Sequence, residues 1–157
     1  MVDIQTVSVT IASAGVFAAA VYYSIQIRYQ NKIRQMELIN AVYLSTRSRE
    51  FMEAYEKIYT REIPGDLIEY RKKYGFIELN MILLLYDQAG ILFRKKLIDD
   101  ELVQYFFGDG VVRFWEKHKH LFEEEERRLG KPHIWTALED LYNAMKKREQ
   151  RQASKKA

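Results

Sequence analysis

The sequence predicts an all-α fold, with an N-terminal transmembrane helix followed by a cytoplasmic antiparallel helical bundle. Three observations predict it. An uncharged stretch runs from Ile4 to Ile27. Beyond it, apolar residues recur at helical spacing, and no Asn-Gly or Asp-Gly turn joins alternating strands. Only Pro64 and Pro132 interrupt the chain.

The uncharged stretch is long enough to cross a bilayer. About 24 residues at 1.5 Å each make roughly 36 Å of helix, against a hydrocarbon core of about 30 Å. A cleaved signal peptide is one alternative, since residues 18–20 are all alanine, but the only charged side chain before the stretch is Asp3 rather than a basic residue. A soluble core helix is the other, and the unbroken length argues against it. Residues 1–28 are therefore predicted to form a membrane anchor.

Basic residues follow the anchor directly. Arg28, Lys32 and Arg34 lie in a predicted juxtamembrane helix, residues 29–47. The positive-inside rule places this side of the span in the cytoplasm. Each basic residue beside anionic lipid contributes about 1 kcal/mol to surface binding. We predict a single-pass protein of the cell membrane, with the lipid bilayer as a partner and the C-terminal domain in the cytoplasm.

The span carries small residues on one helical stripe. They are Ser8, Ala12, Gly15 and Ala19. Small side chains let transmembrane helices approach closely, so this stripe is a candidate helix-association face. Two alternatives stay open, a homo-oligomer formed through the stripe and an unpaired anchor.

Composition limits what the remaining residues can do. The 157-residue chain has no cysteine, which excludes disulfides, thiolate zinc sites and cysteine nucleophiles. Its net charge is +3. Residues 48–150 are long enough for one helical bundle domain, and residues 151–157 form a basic tail that we predict to be frayed and solvated. Nucleic-acid binding is not favoured, because no basic stripe interleaved with aromatic residues accompanies the charge.

The first half of the bundle shows clear helix boundaries. Ser48 is a predicted N-cap, residues 62–66 form a loop, and a short helix ends at Gly75. The next predicted helix, about Ile77 to Lys96, contains a run from Leu79 to Tyr86 that is apolar on every side, apart from Asn80, which predicts a central helix of the bundle. A second membrane span is the alternative, but Glu78 and Asp87 bracket a run far shorter than the roughly 20 residues required.

The second half continues the pattern. Asp99 or Asp100 caps a helix that the pair Gly108 and Gly110 is expected to kink, and Gly130 is a predicted C-terminal cap. A phosphate-binding role for the glycine pair would need a longer glycine pattern after a strand. Pro132 is placed in the first turn of the last helix. Trp115 and Trp135 lie on apolar stripes, so truncating either is expected to unfold the domain readily.

Few residues are candidates for chemistry. His118 and His120 point to different faces of a helix, and the i, i+4 series Glu116, His120 and Glu124 is more typical of a solvated face than of a metal site. Asp87 is the candidate buried polar site, explained either by an ion pair or tyrosine hydrogen bond, or by a polar functional pocket. No catalytic residue, cofactor or metal site is predicted.

Several short strings carry a family resemblance over nearly the whole chain. They include residues 2–8, Tyr22-Tyr23, residues 31–35, Tyr74-Gly75, residues 96–99, residues 115–117 and residues 141–148. With the single span, they make the chain similar to a family of small prokaryotic single-span proteins whose helical domain has no known function. The resemblance implies an anchor and a helical domain, and no catalytic residues.

Two functions follow from these observations. The first is a membrane-anchored interaction or scaffold module that holds an unidentified cytoplasmic protein, or another copy of itself, near the inner leaflet. The second is a small-ligand sensor or enzyme with a pocket around Asp87 and neighbouring tyrosines. An enzyme is the less favoured of the two.

Overall fold

The computed structural model describes residues 3–156, apart from the side chains of residues 6, 155 and 156. This part of the chain contains six α-helices, one 3₁₀ turn at Ser45–Arg47 and no strand, which confirms the predicted all-α class. The helices are α1 Ile4–Leu44, α2 Arg49–Thr60, α3 Leu67–Tyr74, α4 Ile77–Arg94, α5 Asp100–Leu129 and α6 Thr136–Lys156.

The chain divides into two compact units, Met1–Glu37 and Leu38–Ala157. In the first unit every described side chain from Asp3 to Arg34 is exposed, including the large apolar ones. In the second unit a continuous apolar core joins residues from the end of α1 and from α2 to α6. The two units therefore place apolar side chains in opposite environments.

Local capping explains where α2, α3 and α5 begin and where α3 and α5 end. The side chains of Ser48, Asp66 and Asp99 accept hydrogen bonds from the backbone N–H three residues later, which satisfies a free donor of α2, α3 and α5. Gly75 and Gly130 end α3 and α5 with φ of 74° and 63°, where a side chain would be strained. The predicted caps at Ser48, Asp99, Gly75 and Gly130 are confirmed.

Helix α4 is the central element. It packs against α2, α5 and most extensively against α6. Ile82 and Leu83 are fully buried, whereas Leu84 is 45% exposed, so the run is not enclosed on every side as predicted. A Cβ added at Gly90 would collide with the backbone carbonyl of Ala137. This glycine therefore allows the close approach of α4 and α6.

Helix α5 continues through Gly108 and Gly110 without interruption, and the kink expected there stays a prediction. Both ends of the last helix differ from the sequence prediction. The last helix begins at Thr136, not at Pro132, because residues 132–135 form a turn in which His133 has a φ of 63°, incompatible with a right-handed helix. At the other end α6 continues to Lys156, so the segment from residue 151 is helical rather than frayed. The side chains of residues 155 and 156, and all of residue 157, lie outside the described residues.

Candidate functional site

The first candidate surface is the exposed face of α1. Among the described helices, α1 is long and apolar enough to cross a bilayer, and none of its most apolar window is buried. A second span would require α3 and α4 to act together across a bend of 115°. Since much of α4 is buried in the core, it belongs to the bundle instead. Helix α1 therefore differs from a core helix, which buries its apolar face.

The predicted membrane-surface and association residues all lie on this helix. The basic residues Arg28, Lys32 and Arg34 are exposed. So are the small residues of the stripe, Ser8, Ala12, Gly15 and Ala19. A Cβ added at Gly15 would meet no described atom within 4 Å, which leaves room for a second helix. Lipid contact and helix association at these positions stay predictions.

Asp87 lies beside the start of α6. It is half-buried, and burial raises the pKa of its carboxyl while the backbone N–H of Leu138 lowers it, with burial dominant. Within the described chain it forms no ion pair, and its Oδ1 is buried without a hydrogen-bond partner. A carboxylate at a helix N-terminus interacts favourably with the free N–H groups there. The place of Asp87 in the fold is therefore explained by its contact with the backbone of Leu138, a partner that sequence spacing did not reveal.

Groups from α2, α4 and α5 meet at a partly buried pair of tyrosines. The hydroxyl of Tyr59 donates to the carbonyl oxygen of Gly110 at 2.9 Å and lies 3.1 Å from the hydroxyl of Tyr86. Burial raises the pKa of Tyr59 and the pKa of Tyr86 well above the usual value for tyrosine. Both phenols are therefore neutral at physiological pH. A Cβ at Gly110 would collide with the Tyr86 hydroxyl, which explains the glycine in α5.

A cavity of about 300 Å³ lies next to this tyrosine pair, within the second unit. We call it the aromatic cavity. It is lined by Tyr43, Thr46, Phe51, Met52, Tyr55, Leu85, Tyr86, Phe106, Phe107 and Gly110. Asp87 is not among these lining residues, although the preceding residue is. The aromatic cavity is therefore lined by tyrosines of the kind expected near Asp87, and the Asp87 carboxylate does not line it.

The histidines occupy different environments. His118 is fully buried, with its Nδ1 2.9 Å from the carbonyl oxygen of Phe114, and burial lowers its pKa to about 4. His120 is exposed and lies 3.3 Å from the carbonyl oxygen of Pro64. His118 is thus a neutral core residue that packs between phenylalanine rings. The expectation that the two imidazoles face different sides of α5 is confirmed.

The i, i+4 series on α5 is divided among separate partners. Glu116 pairs with Lys146 at 2.5 Å, and Glu124 accepts a 2.7 Å hydrogen bond from the backbone N–H of Leu67 at the start of α3. Across residues 3–156, no three histidine or acidic side chains lie close enough together to hold a metal ion. These carboxylates instead connect α5 to its neighbours.

An ionic cluster around a buried carboxylate joins α3 to α5. Glu125 is almost fully buried and accepts hydrogen bonds from Arg128 and from Arg71, with the shortest contact to Arg128 at 2.8 Å and that to Arg71 at 2.9 Å. Arg128, together with Arg71, holds the pKa of the Glu125 carboxyl below its usual range. Arg71 also stacks on the ring of Phe76 at 4.2 Å. The contact between Arg71 and Glu125 therefore connects α3 to α5.

The comparisons with known proteins identify the domain. The family described as Domain of unknown function (DUF4760) matches residues 9–145. The chain belongs to this family. The match extends from the apolar part of α1 into α6, so the DUF4760 region includes both the exposed helix and the bundle. No curated protein and no solved structure gives a match.

Sequence reasoning missed two features of this DUF4760 domain. The aromatic cavity combines side chains from α1, α2, α4 and α5, and the Glu125 cluster combines α3 with α5. A partial signal was present, because Tyr55 and Tyr59 are four residues apart on α2 and their rings lie 4.5 Å apart. Which rings from other helices would join them depends on how the helices pack.

Proposed function

We propose that this DUF4760 protein is a membrane-anchored helical module that holds a cytoplasmic protein partner, or a second copy of itself, at the inner face of the cell membrane. One observation carries the proposal. The apolar side chains of α1 between Ile4 and Ile27 are all exposed within the chain. A bilayer offers an apolar environment that can cover a helix of this length on every side.

The direction of insertion rests on charge. Arg28, Lys32 and Arg34 follow the apolar residues, and Asp3 precedes them. Basic residues beside a span stay on the cytoplasmic side, and they also bind anionic lipid there. The second unit would therefore lie in the cytoplasm. Its apolar core is formed by its own helices, which supports a folded domain available for a protein partner.

Fractionation and protease protection test the anchor and its direction. The full chain carrying a C-terminal tag should stay in the membrane pellet after a carbonate wash, and protease added outside intact cells should leave the tag uncut. Replacing Arg28, Lys32 and Arg34 together by glutamine should increase the inverted fraction. A species cut after Ala20, or a tag digested from outside, would contradict the proposal.

Cross-linking tests self-association through the small-residue stripe. Gly15→Ile places a branched side chain where two backbones would meet, so it should reduce the cross-linked dimer. Val16→Ile places the same side chain on a different face and is the control. Equal yields in the two variants would exclude this face. Co-purification from membranes followed by mass spectrometry then identifies a cytoplasmic partner, and a preparation with neither dimer nor partner would overturn the scaffold role.

A further inference from the structure

The aromatic cavity has the dimensions and lining of a small-molecule site. Its volume is about 300 Å³. A cavity of about 150 Å³ holds one benzene ring, so this one has room for roughly two rings. Six of its lining residues are aromatic, and flat ring faces bind flat apolar molecules well. Ligand pockets typically combine such an apolar lining with a few polar groups.

The lining favours an uncharged ligand. It contains no acidic or basic side chain, and burial keeps the Tyr86 phenol neutral. The buried lining residues are Thr46, Phe51, Leu85, Tyr86 and Phe107, so a bound group that contacts them would be removed from water. A charge placed there would lose its hydration without an opposite charge to pair with.

Two lining hydroxyls can only accept a hydrogen bond. The Tyr59 hydroxyl donates to the carbonyl oxygen of Gly110, so across the 3.1 Å contact it is Tyr86 that donates to Tyr59. The hydroxyl of Thr46 donates to the carbonyl oxygen of Tyr43 at 2.7 Å. Since both protons are already used, the oxygens of Tyr86 and Thr46 keep only lone pairs for a further partner. A ligand group that bonds to either oxygen must therefore be a donor.

The entrance is apolar as well. Met52 and Tyr43 line the cavity and are 59% and 39% exposed, in contrast to the buried residues at the other end. Methionine is flexible and adapts to varied apolar shapes. An apolar molecule therefore meets no charged barrier among the lining residues as it enters.

From this lining we infer that the aromatic cavity binds a flat, uncharged molecule of one or two aromatic rings that carries a hydroxyl or N–H donor. The rings would lie among the phenylalanine and tyrosine side chains, and the donor would bond to the oxygen of Tyr86 or Thr46. This inference does not depend on the membrane anchor or on a protein partner.

Calorimetric titration of the full chain with 2-naphthol tests the inference, in detergent micelles with the heat of micelles alone subtracted. 2-Naphthol should bind at one site, and the anion 2-naphthoate should bind at least about tenfold more weakly. Met52→Trp, which fills the entrance, should weaken the binding of 2-naphthol by about tenfold or more. Leu84→Trp adds the same group at a half-exposed position outside the cavity and should leave binding unchanged.

The Tyr86→Phe variant tests the donor requirement. Losing the accepting oxygen should weaken the binding of 2-naphthol by about two- to tenfold. The binding of naphthalene, which has no donor, should be unchanged. Comparing the two ligands in one variant separates a lost hydrogen bond from general damage, which would weaken both. Four results would each overturn the inference. In the first three, a folded chain does not bind 2-naphthol, binds 2-naphthoate equally well, or binds the linear alcohol 1-decanol more tightly. In the fourth, Tyr86→Phe weakens the binding of 2-naphthol and naphthalene equally.

Discussion

Phe17 in the first unit and Phe114 in the second are the same residue type on α-helices, yet Phe17 is 71% exposed and Phe114 is fully buried. The same contrast holds for Ile25 and Ile82. Burying apolar surface contributes about 25 cal/mol per Å², whichever atoms cover it. In the second unit other helices of the chain supply that cover. In the first unit no other part of the described chain covers these side chains, so mutations should affect the two units differently.

The largest expected difference concerns aromatic truncation. Trp115 is 5% exposed, and its ring lies 5.8 Å from Phe122 and 6.0 Å from Tyr142. Trp115→Ala should lower the free energy of unfolding of the second unit by about 3–5 kcal/mol. Urea unfolding followed by far-UV circular dichroism measures this. Phe17→Ala in the first unit should leave the same transition unchanged, and equal effects would contradict the comparison.

Trp135 should matter less than the sequence suggested. It lies in the turn before α6, is only half-buried, and its indole N–H is buried without a hydrogen-bond partner in the described chain. An unpaired buried donor costs stability, which offsets part of the gain from packing the ring. Trp135→Ala is therefore expected to destabilise the second unit less than Trp115→Ala does.

The next effect depends on pH. The folded pKa of His118 is about 4, and its usual value is 6.5, so below pH 6.5 the unfolded chain binds a proton that the folded chain does not. The stability from this group is fully present above pH 6.5 and falls by about 3 kcal/mol as the pH decreases to 4. Unfolding titrations at several pH values should show this decline. His118→Leu should flatten it, whereas a variant of the exposed His120 should not.

A pair of glycines gives a matched test of packing. A Cβ at Gly90 would strike the backbone of Ala137, while one at Gly15 would meet no described atom within 4 Å. Gly90→Val should separate α4 from α6 and destabilise the second unit by about 1–3 kcal/mol. Gly15→Val should not shift the melting of that unit. If Gly90→Val left the free energy of unfolding nearly unchanged, the two helices could separate at little cost.

The smallest predicted effect is electrostatic. Glu125→Gln removes the charge that Arg71 and Arg128 bind and should cost about 1–2 kcal/mol at pH 7. The pKa of Glu125 is lowered in the folded chain, so its contribution is present above the unfolded pKa and is lost as the pH falls through the folded value. The free energies of unfolding of the variant and the parent should thus become equal at acidic pH. Glu37→Gln, at an exposed position of the first unit, is the control.

Much of the local structure followed from the sequence. The caps at Ser48, Asp99, Gly75 and Gly130 were predictable because a cap depends on residues within one helical turn. The apolar length of α1 likewise depends on nothing outside that segment. The misplaced start of α6 shows the limit of this reasoning, because Pro132 fits a first helical turn, yet the left-handed backbone of His133 delays the helix to Thr136.

Tertiary structure alone decided how distant residues meet. The sequence offered no sign that Gly110 is where α5 approaches the hydroxyl of Tyr86. For Asp87 the sequence left open an ion pair, a tyrosine hydrogen bond or a polar pocket; it lies beside the start of α6, while the preceding tyrosine lines the aromatic cavity. The helical repeat determines which residues share a face of one helix. It does not determine which face of another helix packs against them, because that choice depends on how side chains from all the helices fill the space between them.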